Sequence, residues 1–367
     1  MILNILFFFL SAFSLSVLVN SVYNFFTAPE VSPQANELNE DAKVSILIPA
    51  RNEEKSIIRC LESAADQSYK NIEIIVYDDQ SEDGTKNIVE KFAQNRSDVI
   101  LIEGVDLRSG WTGKNWACHN LSKSATGDFY LFMDADVFIK QDAVKNALNI
   151  FIKRKASLLS VFPTQELKTF GEKLIVPLMN WLLLSFLPLR NVYGSKSDSL
   201  LAANGQFILI PKEIYSGIGG HEKVKRHIVE DMELARLVKK KYSKVITVLG
   251  GADIYCRMYD GFESAFSGFS KNFYRGFKTS PAVYFIILLF FEAVFLLPFF
   301  FVFVNFKFIF VVLIVLMSRI LISWKSKQNI FWNVVLHPIQ IIILFILGVN
   351  SVWRSYFGKI FWKGRRI

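Results

Sequence analysis

The chain has 367 residues, of which 52% are hydrophobic, and its formal net charge at pH 7 is +9. Residues 281–367 hold nine Lys/Arg against one acid, Glu292, so this segment alone supplies 9 − 1 = +8 of that charge. The composition excludes a disordered chain, a simple soluble domain and a disulfide scaffold, and a basic fringe around apolar segments suits an anionic membrane surface rather than nucleic acid.

The first 26 residues are predicted to form a transmembrane anchor. No charged residue occurs from Met1 to Pro29, and the apolar run 2–26 is long enough to cross about 30 Å of hydrocarbon. A secretory signal is the alternative, but it needs a basic amino-terminal region and a small-residue cleavage site after a shorter apolar core. Residues 27–42, which are polar and contain two prolines, are predicted to be a linker.

Residues 43–280 are predicted to form an α/β domain with a mainly parallel sheet. Apolar runs typical of strands alternate there with helical patterns. Strands are expected at 44–48, 73–77, 99–103 and 129–133, and helices at about 54–67, 85–94, 114–124 and 141–153. Ligands of such sheets bind beyond the carboxyl ends of the strands, and three of the four polar motifs described below follow those ends.

Residues 281–367 are predicted to be a membrane region with a basic tail. Its hydrophobic segments are 282–304, 306–322, which contains Arg319, and 330–350, which contains His337 and Pro338. Residues 174–189 are also apolar, but they are short for a span and contain two prolines. An interfacial helix is therefore expected at 174–189.

Two polar motifs follow the first two predicted strands, IPARNEE at 48–54 and YDDQSEDGT at 77–85. Each alone is consistent with a polar turn before a helix. Adjacent carboxylates at a strand end, here Asp78 and Asp79, can instead accept hydrogen bonds from a base and from ribose hydroxyls. The sequence has neither GxGxxG nor GxxxxGKS/T, which disfavours Rossmann dehydrogenases and P-loop NTPases. The cysteines, Cys60, Cys118 and Cys256, fit no metal or disulfide spacing.

The motif Asp134-Ala135-Asp136 follows the apolar strand at 129–133. Alternate residues of an extended chain point to the same side, so the two carboxylates can converge on one cation. Mg²⁺ or Mn²⁺ is typically held by one or two carboxylates together with phosphate oxygens of a substrate. Such triplets are common on protein surfaces, but this one ends a buried strand and follows two other polar strand ends, which favours a metal site.

The fourth motif is HIVEDMELAR at 227–236. Acidic residues are favoured at a helix N-terminus, so Glu230, Asp231 and Glu233 can be solvated charges. The alternative is that Asp231 is a general base, which takes a proton from an attacking hydroxyl.

In their order, these motifs resemble those of family 2 glycosyltransferases of the GT-A fold, over about residues 43–280. The segments GWTGKNWAC (110–118), HIVEDMELARLVK (227–239) and FWKGR (361–365) look like those of membrane-bound lipid glycosyltransferases of the bacterial apocarotenoid type. Hopanoid-associated and ceramide glucosyltransferases are similar more distantly. The resemblance implies inverting transfer of a sugar from a nucleotide sugar, expected to be UDP-glucose, to a membrane lipid, expected to be an apocarotenoid acid.

The resemblance also implies the roles of individual residues. Those expected to bind the nucleotide sugar are Pro49, Arg51, Glu53, Asp78, Asp79, Lys114, Asp134 and Arg275. Within that set, Lys114 would lie near the diphosphate. Asp134 and Asp136 would hold Mg²⁺ or Mn²⁺, and Asp231 would be the catalytic base.

The sequence departs from the family pattern at two places. The usual DDGS is DDQS here, with Gln80 at the glycine position, and the (Q/R)xxRW motif of processive enzymes is absent, with KNFYRGF (271–277) near its place. Single addition to a lipid is therefore favoured over a processive polysaccharide synthase. Two further functions stay open at the level of sequence. One is glycosylation of a different lipid, such as a hopanoid, diacylglycerol or a ceramide-like lipid, and the second is a membrane scaffold that binds a nucleotide without catalysis.

The expected location is the cell membrane, with several spans and with residues 43–280 in the cytoplasm, where nucleotide sugars are made. Three full spans after that domain would place the C-terminus outside. The tail residues Arg354, Lys359, Lys363, Arg365 and Arg366 instead favour the cytoplasmic side. Because Pro338 can break a helix, residues 330–350 are predicted to form a re-entrant hairpin. Four plain spans with an exterior tail are the alternative.

Overall fold

The computed structural model describes residues 1–33, 41–195, 197, 199–358, 361–362 and 365–366. The predicted linker at 27–42 and the basic tail therefore lie partly outside the described residues. The chain divides into two compact units. The α/β unit comprises residues 29–166, 190–258 and 361–367, and the helical unit comprises residues 1–28, 167–189 and 259–360.

The elements are numbered in chain order. The helices are α1 Ile2–Thr27, α2 Ile57–Ala65, α3 Thr85–Ala93, α4 Gly113–Ser124, α5 Ala143–Lys153, α6 Phe170–Ile175, α7 Pro177–Phe186, α8 Asn191–Gly194, α9 Lys212–Gly217, α10 Gly220–Lys223, α11 Glu230–Tyr242, α12 Phe262–Phe277, α13 Pro281–Phe295, α14 Leu297–Phe301, α15 Ile309–Lys325, α16 Ile330–Val335 and α17 His337–Tyr356, with a 3-10 turn at Phe306–Phe308. The strands are β1 Val44–Ala50, β2 Ile72–Asp78, β3 Val99–Glu103, β4 Phe129–Met133, β5 Val137–Ile139, β6 Leu158–Phe162, β7 Thr164–Gln165, β8 Phe207–Pro211, β9 Val245–Leu249, β10 Ile254–Cys256, β11 Phe361–Trp362 and β12 Arg365–Arg366.

The α/β unit is built on a seven-stranded sheet in the order β3-β2-β1-β4-β8-β6-β9. Strands β1 to β4 run parallel to one another, and β6 runs parallel to β9, whereas β8 is antiparallel to both of its neighbours. The predicted mainly parallel sheet is thus confirmed. The carboxyl ends of β1, β2 and β4 lie at one end of the sheet, and the amino end of β8 lies there too because Phe207 is opposite Met133.

Strand β1 is buried at every position, as expected for a central strand that is covered on both faces. Its polar residue Ser45 donates from Oγ to the buried carboxylate of Glu73 on β2, at 2.5 Å. The same carboxylate accepts from Lys43 Nζ at 2.8 Å and from Thr126 N at 2.7 Å. Glu73 therefore fastens β1 and β2 to the turn that leads into β4.

A smaller sheet lies next to the DAD motif. Strand β10 pairs antiparallel with β5 and parallel with β7. Cys256 at the end of β10 is opposite Val137, the residue that follows Asp136. This pairing brings the Cys256 thiol to the candidate metal carboxylate.

Among the residues that the structure describes, four helical segments are long and apolar enough to cross a membrane: Ile2–Thr27, Pro281–Phe301, Phe306–Lys325 and His337–Tyr356. The first three match the predicted hydrophobic segments to within a few residues. The predicted 330–350 segment instead comprises the short helix α16 and the first part of α17. Pro338 lies in the first turn of α17, where the missing N–H removes no helical hydrogen bond. The helical stretch is interrupted at Leu336, two residues before the proline.

The apolar stretch 174–189 contains all of α7 and the end of α6 rather than one helix. Within the helical unit, α7 is fastened to α1 by Asn24, whose Nδ2 donates to the carbonyls of Leu184 at 2.8 Å and Leu187 at 2.7 Å. Asn24 Oδ1 accepts from Leu189 N at 2.9 Å. These bonds satisfy backbone groups at the carboxyl end of α7. The interfacial placement of this stretch stays a prediction.

Candidate active site

The turns that follow β1 and β2 are locked together by hydrogen bonds. Glu53 N donates to Thr85 Oγ1 at 2.7 Å, and Glu82 N donates to Asn52 Oδ1 at 2.8 Å. Pro49 is buried in β1 opposite Tyr77, beyond the last residue of β1 that pairs with β4. The two predicted nucleotide motifs thus form one continuous surface at the carboxyl end of the sheet.

Arg51 is buried, and its guanidinium contacts the turn that follows β2. Its Nη1 donates to the carbonyl oxygens of Asp79 at 2.5 Å and Gln80 at 2.7 Å, and its Nη2 pairs with Glu82 at 3.1 Å. Sequence reasoning assigned Arg51 to the nucleotide pocket. These bonds give it a further role, which is to fix the main chain of the Asp78-Asp79 turn.

Gln80, which replaces the glycine of the usual DDGS, adopts a backbone conformation typical of glycine. Its φ is +55°, in the left-handed region that favours glycine. The conformation is held by Gln80 N, which donates to Asp78 O at 2.8 Å, and by Gln80 Nε2, which donates to Asp106 Oδ1 at 2.9 Å. The turn therefore keeps a glycine-type backbone although the residue is glutamine.

The carboxylates of Asp78 and Asp79 are buried at the end of β2. Asp78 Oδ2 accepts from Ser81 N at 3.2 Å, whereas Asp78 Oδ1 is buried without a hydrogen-bond partner. A buried carboxylate oxygen without a donor is costly to leave unpaired. Such an oxygen is suited to accept a hydrogen bond from a ligand.

Lys114, in the first turn of α4, joins the DAD motif to the ED motif. Its Nζ lies 2.7 Å from Asp134 Oδ1 and 3.3 Å from Glu230 Oε1. Although burial acts against the charged form, the Asp134 and Glu230 carboxylates raise the pKa of Lys114 well above its usual range. The ammonium group is therefore a permanent positive charge between the two acidic motifs.

Asp136 lies near the carboxylates of Asp134 and Glu53 and near the Cys256 thiol. Burial and the carboxylates of Asp134 and Glu53 raise the pKa of Asp136 to about 7. Its Oδ1 is buried and has no hydrogen-bond partner. The neighbouring Cys256 Sγ accepts from Gln206 Nε2 at 2.8 Å, and burial raises the pKa of this thiol well above its usual range.

Asp231 lies at the start of α11, half-buried. Its Oδ2 accepts from Gly205 N at 2.8 Å and its Oδ1 accepts from Met232 N at 2.7 Å. Burial and the adjacent Glu230 carboxylate raise the pKa of Asp231 to about 7, against the opposing effects of Lys114 and the two N–H donors. A carboxylate with that pKa can accept a proton near neutral pH.

The residues suit a divalent cation that a substrate helps to hold. In the described part of the chain, no group of three His, Cys, Asp or Glu side chains is placed to bind a metal ion by itself. Mg²⁺ and Mn²⁺ bound with a phosphate substrate need only one or two protein carboxylates. The unpartnered Oδ1 of Asp136 and the adjacent Asp134 carboxylate fit that requirement.

The chain is similar in sequence to known glycosyltransferases. The family described as Glycosyl transferase family 2 matches residues 45–209. The 4,4'-diaponeurosporenoate glycosyltransferase of Staphylococcus aureus (strain USA300) is 32% identical over 251 residues, which are 66% of this chain and 64% of the relative. Residues 45–209 therefore match a family 2 glycosyltransferase domain. The chain therefore matches just under two thirds of the length of this curated relative.

A solved structure supports the fold assignment. The mannosyltransferase PcManGT from Pyrobaculum calidifontis, in complex with GDP-Man and Mn²⁺, has a TM-score of 0.55 at 14% identity, and the match covers 95% of this chain and 99% of the other. At that identity the likeness concerns the fold alone. The predicted GT-A architecture, an α/β family 2 domain with a mainly parallel sheet and apolar helices before and after it, is confirmed.

The α/β unit brings together all but one of the predicted site residues. Arg275 is the exception: it lies on α12 in the helical unit and is half-buried. Sequence reasoning missed the segment Asn204-Gly205-Gln206 before β8 and did not assign a role to Glu230. A Cβ on Gly205 would lie 3.0 Å from Lys114 Nζ and 3.3 Å from Glu230 Oε1, so this glycine leaves room for the ion pair. The available signal was ANGQ directly before an apolar strand.

Proposed function

We propose that this protein transfers a sugar from a nucleotide sugar to a membrane lipid, with inversion at the anomeric carbon. The observation that carries the proposal is the position of Lys114 between Asp134 and Glu230, with Asp231 beside it, in a family 2 domain. This arrangement supplies a positive charge for a leaving phosphate and a carboxylate for the incoming nucleophile within one cluster.

The nucleotide is proposed to bind over the turns after β1 and β2. Asp78 and Asp79 would accept hydrogen bonds from the base and the ribose, and Arg51 would keep the turn in place through its bonds to the carbonyls of Asp79 and Gln80. Pro49 and Glu53 would complete the wall of this pocket. The unpartnered Asp78 Oδ1 supports the assignment.

The diphosphate is proposed to lie beside Lys114 and Asp134. Asp134 and Asp136 would hold Mg²⁺ or Mn²⁺, which when bound supplies positive charge to the leaving diphosphate. Lys114 would donate to a phosphate oxygen as negative charge develops on it. Its present bond to Asp134 keeps the ammonium group at that point before the substrate arrives.

The nucleophile is proposed to approach on the Asp231 side. A hydroxyl acceptor gives its proton to Asp231, whose two main-chain donors hold the carboxylate in place. A carboxylate acceptor has no proton to lose at neutral pH, so Asp231 would only orient it. The name of the Staphylococcus aureus relative supports an apocarotenoid acid as acceptor.

The proposal places the protein in the cell membrane, with the catalytic domain in the cytoplasm, where nucleotide sugars are made. The four apolar helices support a membrane location. UDP-glucose is the proposed donor because this sequence resembles apocarotenoid-type lipid glycosyltransferases, and that resemblance implies UDP-glucose as the donor.

Activity in membranes tests the proposal. Membranes that contain the protein are incubated with labelled UDP-glucose or GDP-mannose and with apocarotenoid acids, diacylglycerol, polyprenyl phosphate or ceramide. Label is expected in the apocarotenoid ester, with UDP-glucose preferred. Label in another lipid would leave a lipid glycosyltransferase but overturn the acceptor. Binding of a nucleotide sugar without transfer to any lipid would overturn the enzymatic proposal.

A further inference from the structure

A cluster of buried polar residues lies where α16 meets α17 in the helical unit. Arg319 on α15 donates from Nε to the carbonyl of Asn333 at 3.3 Å and from Nη2 to Gln340 Oε1. Gln340 Nε2 donates to the carbonyl of Lys173 at 2.7 Å. Arg319, Asn333 and Gln340 are each at most 2% exposed. Among the described residues, no Asp or Glu pairs with Arg319, so main-chain and amide oxygens are its hydrogen-bond partners.

Helix α17 runs antiparallel to α13. His337 Nε2 lies 3.2 Å from the carbonyl of Phe295, near the end of α13, and a Cβ on Gly348 would lie 2.6 Å from Leu288, nearer its start. Beyond these pairs, Tyr356 contacts Tyr274, which precedes α13. The carboxyl end of α17 therefore lies on the side where α13 begins.

Helix α15 also ends on that side. It runs parallel to α1, because Phe308 contacts Phe7 while Trp324 contacts Phe25. The carboxyl ends of α1 and α15 therefore share one side. Only residues 302–308 separate α14 from α15, so α13 begins on that side too.

Residues 326–336 would have to cross the whole bundle if α17 spanned the membrane after α15. They do not cross it, because Asn333, near the end of this segment, accepts a hydrogen bond from Arg319. At 1.5 Å per residue, Arg319 lies only about 9 Å from the end of α15 at Lys325. Helix α17 thus begins inside the bundle, at the level of Arg319, and returns to the side from which α16 came.

We propose that residues 326–356 form a re-entrant hairpin whose turn is fastened by Arg319. The guanidinium donates to the carbonyl of Asn333 in the last turn of α16, a carbonyl that has no helical partner. Its positive charge is also favourable at the carboxyl end of that helix, where the helix dipole is negative. The chain then crosses the membrane three times, through α1, α13–α14 and α15. The carboxyl end of α17 then returns to the side on which α1 and α15 end and on which α13 begins. This topology removes the conflict between the basic tail and an exterior C-terminus.

Single engineered cysteines test the topology. Phe357→Cys lies just after α17, Phe303→Cys lies in the turn between α14 and α15, and Ser124→Cys lies on an exposed position of the catalytic domain. Each variant is treated with a membrane-impermeant thiol reagent in intact and in permeabilised cells, with the unsubstituted chain as background, because its three cysteines are buried. Residue 357 is expected to label as residue 124 does and opposite to 303. Labelling of 357 that matches 303 overturns the hairpin.

A second variant tests the fastening role. Arg319→Met is combined with Phe357→Cys and compared with Lys307→Met, which removes a charge at the other end of α15. Arg319→Met is expected to increase exterior labelling of residue 357 at least severalfold. Lys307→Met is expected to leave this labelling at background. Gln340→Glu, which gives Arg319 a carboxylate partner, is also expected to leave it at background. Equal labelling in Arg319→Met and Lys307→Met overturns the role of Arg319. The wild-type labelling pattern decides the topology even where Arg319→Met does not fold.

Discussion

Asp231 is held as a candidate base by main-chain donors, so its amide counterpart retains a similar shape. Asp231→Asn keeps an acceptor for Gly205 N but cannot take a proton. Transfer to a hydroxyl acceptor is expected to fall by about 10²–10⁴-fold, while donor affinity changes little. Rates and UDP-sugar binding are measured on the same membranes. A large loss of binding with unchanged turnover would instead place Asp231 in the donor pocket.

The raised pKa of Asp231 predicts a pH profile that depends on the acceptor. With a pKa of about 7, the ionised fraction falls about tenfold for each pH unit well below that value. Transfer to a hydroxyl lipid is therefore expected to decline below pH 7 and to level off above it. Transfer to a carboxylate lipid is expected to decline less steeply below pH 7, because Asp136 titrates for both acceptors whereas the Asp231 base is needed only for a hydroxyl. Identical profiles for both acceptors would contradict a base role for Asp231.

Asp136 is predicted to be indispensable because its unpartnered Oδ1 is the free carboxylate oxygen of the DAD pair. Asp136→Asn is expected to abolish transfer without loss of folding, and excess EDTA is expected to stop the unsubstituted enzyme. Asp142→Asn, at an exposed carboxylate that bonds Ser68, is the matched control and is expected to retain activity. Full turnover of Asp136→Asn, or full activity in EDTA, would refute a metal role.

At the scale of elements, Glu73 couples the central strands to the turn before the DAD strand. Despite burial, the bonds from Lys43, Ser45 and Thr126 lower the pKa of Glu73 to about 2 from its usual 4.5. Because the folded-state pKa is depressed, the stabilisation is present above pH 4.5 and is lost as the pH falls towards 2.

Glu73→Gln is therefore expected to lower stability at neutral pH and to weaken its pH dependence between 4.5 and 2. Thermal unfolding of the detergent-solubilised protein measures both effects. Glu62→Gln, on α2 outside this network, is the comparison variant. An unchanged slope of stability against pH in Glu73→Gln would show that this carboxylate does not couple the strands.

The sequence predicts best those features that local patterns determine. Apolar runs followed by carboxylates predicted strands β1, β2 and β4, and they predicted that the motifs after these strands lie at one end of the sheet. The antiparallel β8 was not anticipated, because its pairing with Met133 and neighbours depends on residues some 75 positions apart. As a result the Asn204–Gln206 turn was missed. Arg51 was expected to face the nucleotide, but single-residue reasoning does not reveal that its donors reach carbonyls of another turn.

At the scale of the whole molecule, donor and acceptor functions are expected to depend on different units. The residues proposed to hold the nucleotide, Arg275 apart, come from the α/β unit, whereas the apolar surface that a lipid requires belongs to the helical unit. Asn24 is a useful probe because it is buried in the helical unit and bonds three backbone groups around the end of α7. Without a partner, such groups are costly in an apolar environment.

Asn24→Leu is expected to lower the thermal stability of the helical unit and to reduce lipid glycosylation by at least severalfold, while the Kd for UDP-glucose stays within about twofold. The reason is that the substitution unpairs Leu184 O, Leu187 O and Leu189 N but changes no group of the nucleotide turns. Val19→Leu, on the exposed face of the same helix, is the control and should change neither quantity. Parallel loss of UDP-glucose affinity and lipid transfer in Asn24→Leu would mean that the donor site depends on the packing of α1 and α7.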